Sequence, residues 1–320
     1  MAIPIIEAKN LTKHYGSIVA VHDLSFAIPP GVIYGFLGQN GAGKSTTMRM
    51  LLGLIHPSSG EVFILGKSLR KEGARLLRHI GAIIERPDLF GYLSGWDNLR
   101  MMANLSGQDI SDQHLHDLLK LVHLQGREKE KVKGYSQGMK QRLGIAIAMA
   151  HNPDLLVLDE PTNGLDPQGI AQMRELILQL SREFGKTVLI SSHLLYEIEQ
   201  MADQMLIIHK GRKMVEGPVH ELLHADETLV EVNYRPHPEM AALVAASQWV
   251  ALVQEVHEDR LVLKMKPALV PELNRWLVEK DVAVQQLSTR HSLENYFLNL
   301  TQEQDSYVDA PATRRTLQNL

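Results

Sequence analysis

Cysteine is absent from the 320 residues. No disulfide framework and no thiol chemistry is available, which suits a reducing compartment. Long apolar runs are missing too. No stretch approaches the roughly 18 uncharged apolar residues of a membrane span. The start, Met1-Ala2-Ile3-Pro4-Ile5-Ile6-Glu7, lacks a basic segment followed by an apolar one, so it does not read as a secretory signal. No strong excess of charge of either sign exists: 33 Lys and Arg face 37 Asp and Glu, a net charge of −4. Long-range attraction to nucleic acid or anionic lipid is therefore not expected. Histidine is plentiful, at 15 residues, but not at metal-site spacing. On a helix His114 and His116 would diverge, and His220 and His224 would share a face but without a third ligand close in sequence. The expectation is a cytoplasmic protein without direct membrane insertion, whose membrane role, if it has one, runs through a partner.

Apolar residues make up 44 % of the chain, enough for one large or two ordinary domains with a sizeable core. The organising stretch is Gly38-Gln39-Asn40-Gly41-Ala42-Gly43-Lys44-Ser45-Thr46. It fits G-x-x-x-x-G-K-[ST], the phosphate loop of nucleotide hydrolases. A triphosphate is dense negative charge, and a concave run of backbone N–H groups is a compact nest for it. Glycines let the backbone come close. Lys44 would reach the β/γ-phosphates, and the Ser45 hydroxyl would bind Mg²⁺. Before the loop, Val32 to Leu37 reads as a buried strand. After it, Met48, Met50, Leu51, Leu52, Leu54 and Ile55 form an apolar helical pattern closed by Pro57, with a helix start near Lys44.

The region from Ile5 to Pro30 is strand-like. Within it, the Tyr15 ring would stack on a purine, or is simply a half-buried strand tyrosine. Ser58-Ser59-Gly60 reads as a turn before a strand at Glu61–Gly66. Ile80 to Ile84 is a continuous apolar run of the kind found in parallel strands covered on both faces. Ser94 to Leu124 is helical, with Ser111 or Asp112 as a cap. Tyr135-Ser136-Gln137-Gly138-Met139-Lys140-Gln141-Arg142 opens a largely apolar helix with a cap-like Ser136.

Leu155-Leu156-Val157-Leu158-Asp159-Glu160 is the second strong signal. Four apolar residues make a buried strand, and two carboxylates stand at its carboxyl edge, where open α/β sheets bind ligands. Asp159 can hold Mg²⁺ directly or through water. Glu160 can orient and deprotonate an attacking water. Thr187 to Ile190 is another buried strand, ending at Ser191-Ser192-His193. His193 would contact the γ-phosphate or the water, or is structural. Met205–Ile208 is a further strand, and Lys210-Gly211 a turn.

The texture changes after about residue 225. Strand at Thr228–Tyr234, helix at Pro238–Gln248, strands at Val250–Val256 and Leu261–Met265, helix at Pro267–Lys280 and strand at Val282–Leu287 give β-α-β-β-α-β. That is the order of a split βαβ, ferredoxin-like unit. Leu293 to Leu300 reads as a closing helix, and the polar end as a flexible tail.

Taken together, Tyr15, the phosphate loop, Ser136–Met139, Leu155–Glu160, Asn163-Gly164-Leu165-Asp166 and His193 resemble, in kind and order, the ATP-binding cassette (ABC) transporter ATPases. The resemblance covers about residues 3–225. It implies an α/β P-loop NTPase fold with antiparallel β and helical subdomains, with residues 1–225 as ATP-binding domain (helical part about 88–150); the element order beyond it gives 226–301 as an α+β accessory domain and 302–320 as the tail. It implies that Tyr15 stacks on adenine, that Ser136, Gln137, Gly138 and Met139 cap ATP from the opposite copy of a homodimer, that Asp166 belongs to the dimer-crossing loop, and that His193 is the switch histidine. Glu160, His193 and Lys44 would be catalytic, with ATP and Mg²⁺ as cofactors.

Two departures stand out. The usual signature, Leu-Ser-Gly-Gly-Gln, is here Tyr135-Ser136-Gln137-Gly138-Met139. The usual metal-contacting Gln is matched by Glu85, which still offers oxygen to Mg²⁺ but adds negative charge. Both departures are similar to the bacitracin-resistance and lantibiotic-immunity branch, as are Ile33–Gly38, Gly138–Gly144 and Ser292–Phe297. The resemblance implies a peripheral subunit at the inner face of the cell membrane, docking near Glu85–Asn104 on a separate transmembrane permease. It would energise export of an antimicrobial peptide or drug. The alternative is a soluble cassette protein acting on ribosomes or nucleic acid. The single motif set, the absence of a long heptad insertion and the negative charge speak against that alternative.

Overall fold

A computed structural model describes residues 3–223 and 228–290. The chain divides after Val219 into two compact units. The expected helix at Leu293–Leu300, the segment Ser292–Phe297 and the tail at 302–320 lie outside the described residues.

The first unit begins with an antiparallel hairpin, β1 (Ile6–Tyr15) and β2 (Ile18–Ile28). β3 (Ile33–Leu37) then leads into the phosphate loop and α1 (Lys44–Leu51). β4 (Ser59–Ile64), β5 (Lys67–Ser68) and the short α2 (Leu69–Glu72) follow. β2, β1, β4 and β5 form one four-stranded sheet, in that order. Two expectations are corrected here. α1 stops at Leu51 instead of running on to Ile55. Gly53 takes φ +66°, and the Leu54 N–H turns back to the Arg49 carbonyl at 2.9 Å, a Schellman closure that leaves Leu54 exposed. Ser59 and Gly60 belong to β4 rather than to a turn, because Ser59 pairs with Thr12 of β1.

β6 (Ile80–Ile83) opens the central sheet's far edge. The helical part comes next: α3 (Gly95–Leu105), α4 (Asp112–Leu121) and α5 (Gln137–Met149). Ser94, Ser111 and Ser136 cap these three helices, so of the two expected cap candidates it is Ser111 that serves. β7 (Leu155–Asp159), α6 (Pro167–Arg182), β8 (Thr187–Ser192), α7 (Leu195–Glu199), β9 (Gln204–His209) and β10 (Arg212–Pro218) complete the unit. α8 (Val219–Leu223) leads out of it.

The central sheet has the order β10-β9-β3-β8-β7-β6. β9, β3, β8, β7 and β6 run parallel, and β10 is antiparallel to β9. Every residue of β3, β7 and β8 is buried, as strands covered on both faces require. A core of Ile6, Leu11, Leu24, Phe26, Tyr34, Phe36, Met48 and their neighbours fills the space between the two sheets. Each such side chain contributes about 1.5–3 kcal/mol on burial. Tyr34 keeps a polar end there. Burial first, then the nearby Glu216 carboxylate, pushes its phenol well above the usual range, and the hydroxyl donates to Glu216 at 2.6 Å.

The second unit holds β11 (Thr228–Tyr234), α9 (Met240–Ala245), β12 (Val253–Val256), β13 (Arg260–Met265), α10 (Val270–Glu279) and β14 (Val284–Arg290). Its strands are antiparallel in the order β12-β13-β11-β14. Val230, Val232, Tyr234, Met240, Trp249, Leu261, Leu263, Leu273 and Leu277 form a separate core.

Candidate nucleotide hydrolysis site

The sheet topology places three loop starts side by side. β8 lies between β3 and β7, and its Ser191 is in register with Phe36 on one side and Asp159 on the other. The phosphate loop, the two carboxylates and Ser191-Ser192-His193 therefore leave one carboxyl edge within two strand spacings.

The phosphate loop is built for close approach. Gly43 has φ +108°, and a Cβ there would meet the Ala20 carbonyl at 2.6 Å, so no other residue fits. A Cβ on Gly38 would strike the Ile208 carbonyl at 2.6 Å. Gly43 is also the N-cap of α1, with no side-chain cap bond. By contrast, α3, α4, α5 and α6 all carry side-chain caps. The first N–H groups of α1 are thus left for an anion, on the positive end of the helix dipole.

Lys44 is only 5 % exposed. Its Nζ donates to the Gly38 carbonyl at 2.6 Å and lies 3.2 Å from Glu160 Oε1. His193 Nδ1 is 2.6 Å from the other oxygen, Glu160 Oε2. An ionised carboxylate only accepts, so Nδ1 carries the proton in this pair. The structure thus gathers Lys44 and His193 around the Glu160 carboxylate.

Asp159 is 1 % exposed. Its Oδ1 accepts from the Ser191 hydroxyl at 2.5 Å, while Oδ2 is buried with no hydrogen-bond partner. The same Ser191 oxygen accepts from the Glu160 N–H at 2.9 Å. Glu160 needs this support, because it sits at φ +49°, a conformation that L side chains rarely adopt. An orphaned oxygen on a buried carboxylate at a strand end fits a hard divalent cation such as Mg²⁺. Ser191 is the residue that reading along the chain misses. Its only sequence signal is its place beside His193 at a strand end.

The other expected site residues lie apart. Ser136 is the exposed N-cap of α5, its oxygen accepting from the Met139 N–H at 3.2 Å. Gln137 donates to the Asn163 carbonyl at 2.9 Å. Among the described residues, no hydrogen bond or ion pair joins Ser136, Gln137, Gly138 or Met139 to Lys44, Glu160 or His193. Asp166 caps α6, accepting from the Gly169 N–H at 2.7 Å. Tyr15 ends β1 with 47 % exposure, its ring under the Lys13 ammonium at 5.1 Å. Glu85 is 63 % exposed, has φ +65°, and pairs with Arg49 of α1 at 2.5 Å. It therefore reaches the helix behind the phosphate loop rather than Asp159.

The chain as a whole is similar to known proteins. The ABC transporter family profile matches residues 21–163. A bacitracin transport ATP-binding protein, BcrA, of Bacillus licheniformis is 42 % identical over 299 residues, 92 % of this chain and 97 % of that one. An uncharacterized ABC transporter ATP-binding protein, YhcH, of Bacillus subtilis is 40 % identical over 93 % of this chain and 96 % of its own. A lantibiotic transport ATP-binding protein, SrtF, of Streptococcus pyogenes is 43 % identical over 66 % of this chain and 90 % of that one. Among solved structures, an ATP-binding subunit of an ABC transporter superposes with a TM-score of 0.61 at 31 % identity, covering 68 % of this chain and 91 % of its own. A dimeric ATP-binding cassette in a post-hydrolysis state with ADP and Pi gives 0.61 at 25 % identity, over 67 % of this chain and 98 % of that one.

Proposed function

Since this chain belongs to the ABC transporter family as an ATP-hydrolysing subunit that energises a separate membrane subunit, we propose which of its residues do that work and what is exported. The observation that carries the reading is the Glu160 carboxylate held between the Lys44 ammonium and the His193 ring at the edge of the phosphate loop. Glu160 is the general base, taking the proton of the attacking water. Lys44 and the α1 N-terminus stabilise charge on the terminal phosphate. His193 orients Glu160 and completes the polar wall around the phosphate. Asp159 Oδ2 and the Ser45 hydroxyl would hold Mg²⁺, which when bound supplies positive charge to the phosphate oxygens.

Two copies pair head to tail in this reading, each presenting Ser136–Met139 to the other's phosphate loop. Three points support it. Ser136 and Gln137 are exposed, they make no bond to their own Lys44, and a relative of the fold is dimeric with ADP and Pi. Among the described residues no helix is long and apolar enough to cross a membrane. In this reading the subunit works at the inner face of the membrane, bound to the permease its transporter relatives imply. By likeness to the bacitracin and lantibiotic transport relatives, the cargo is a peptide antibiotic. A net charge of −4 favours this over a partner made of nucleic acid. Co-expression with its permease should raise resistance to bacitracin or a lantibiotic, and Glu160→Gln should remove the gain. Co-purification with ribosomes instead of membranes would overturn the reading.

Two smaller effects follow. Tyr15→Ala should weaken ATP binding by about 1–3 kcal/mol, roughly 5- to 150-fold in Kd, if the ring stacks on the base. GTP should suffer equally, because stacking does not discriminate between purines. Equilibrium titration of both nucleotides checks this, and an unchanged Kd would return Tyr15 to a strand-end role. Glu85→Gln should leave stability within about 1 kcal/mol, since its pair with Arg49 is exposed. It should also raise the half-saturating Mg²⁺ concentration for ATPase several-fold if Glu85 serves the metal. A Mg²⁺ titration with an unmoved midpoint removes Glu85 from the metal site.

A further inference from the structure

A buried acid beside the site has no part in the chemistry described above. Glu197, in the first turn of α7, is 6 % exposed and has no cationic partner among the described residues. A lone buried carboxylate is unfavourable unless its oxygens are well served. Here a single oxygen, Oε2, accepts from the Thr162 hydroxyl at 2.8 Å and from the Ser192 hydroxyl at 2.7 Å. Thr162 and Ser192 are themselves buried.

The positions of those two donors give the acid its meaning. Thr162 lies two residues after Glu160, in a turn closed by the Asn163 N–H on the Glu160 carbonyl at 3.0 Å. Ser192 immediately precedes His193, and its oxygen also accepts from the Leu194 N–H at 2.9 Å, bending the chain around the histidine. Glu197 therefore grips both segments that carry the Glu160–His193 pair. Glu160 sits in a strained backbone conformation, φ +49°, which persists only where the surroundings fix it. Ser191 fixes its amide side, and the Thr162–Glu197 bond fixes the chain just beyond it.

We propose that Glu197 is a positioning residue for hydrolysis, locking the turn after Glu160 to the turn at His193 so that carboxylate and imidazole stay in contact. This rests on the reading of Glu160 as the base. Glu197→Leu, similar in volume and without acceptors, should lower kcat for ATP at least tenfold. KM and the Kd for ATP should stay within threefold, because the phosphate loop is untouched. Glu197→Gln keeps an acceptor oxygen and should return kcat to within threefold of the parent. Thr162→Val should lower kcat alone but cost little further in the Glu197→Leu background, the non-additivity expected of one shared interaction. Should Glu197→Leu fail to fold, Thr162→Val against Thr162→Ser carries the same test, with Ser expected to retain the rate. A parent that releases phosphate while Glu197→Leu, or Thr162→Val in its place, keeps kcat within threefold overturns this inference alone. So does a loss expressed in KM, or full additivity of the two substitutions. Full activity of Glu160→Gln would instead overturn the assignment of the base.

Discussion

Glu160→Gln protein is expected to hydrolyse ATP roughly 10²- to 10⁴-fold more slowly than the parent, the range lost with a general base. It should at the same time bind ATP more tightly. The two effects share one cause. The parent carboxylate stands 3.2 Å from the Lys44 ammonium and 2.6 Å from His193 Nδ1. It consumes part of the positive charge offered to the triphosphate and adds repulsion of its own. The amide removes that charge while keeping size and one acceptor oxygen, so the Ser191 bond to the residue 160 amide is unaffected. Hydrolysis stalls, and the ATP-bound pair of copies accumulates. Size-exclusion chromatography with ATP and Mg²⁺ should show a dimer for the variant under conditions where the parent returns to monomer. Phosphate release at the parental rate would show that another group activates the water.

Most of this site lies open to a reader of the chain, for a physical reason. The phosphate loop, the Asp159–Glu160 pair and the strand-end His193 are each local patterns. Parallel βα topology then carries every strand end to the same edge, so local patterns become one site without further information. Ser191, Thr162 and Glu197 do not show in that way. Their importance lies in bonds across 31 to 35 residues of sequence for Ser191 to Glu160 and Thr162 to Glu197. A buried Glu in a five-residue helix looks like any surface acid until its neighbours are known. α7 and β10 also escape periodicity, since a helix of five residues has too few turns to show a 3.6 pattern, and β10 is only half-buried. The end of α1 is hidden from the pattern because Leu54 and Ile55 prolong the apolar run, while Gly53 decides the geometry. Glu85 shows the opposite limit. Its place in the order of motifs is legible, but its partner, Arg49, belongs to a different element and appears only once the chain is folded.

Lys44→Ala should have the converse effect to Glu160→Gln, with ATP affinity reduced by two orders of magnitude or more and no hydrolysis detectable. In water an ammonium–phosphate contact is weak, about 1 kcal/mol at 4 Å, but it grows several-fold where the surroundings screen less. Lys44 is 5 % exposed, so its charge acts in that less screened setting. Removing it also leaves the Gly38 carbonyl without its donor and Glu160 with His193 as its remaining partner. Stability should therefore fall together with binding. Lys44→Arg should not rescue either property. The planar guanidinium needs more room than a point-like ammonium, and here the backbone carbonyls of Gly38 and Gln39 already lie 2.6 and 3.3 Å from Nζ. The double variant Lys44→Ala/Glu160→Gln separates the two roles of the lysine. Stability should recover in part, because the carboxylate that lost its cation is gone while the Gly38 carbonyl still lacks its donor. Binding should not, because the charge that meets the triphosphate is still missing. Thermal unfolding and nucleotide titration of the four proteins decide the matter. Recovery of binding in the double variant would mean that Lys44 serves only to neutralise Glu160.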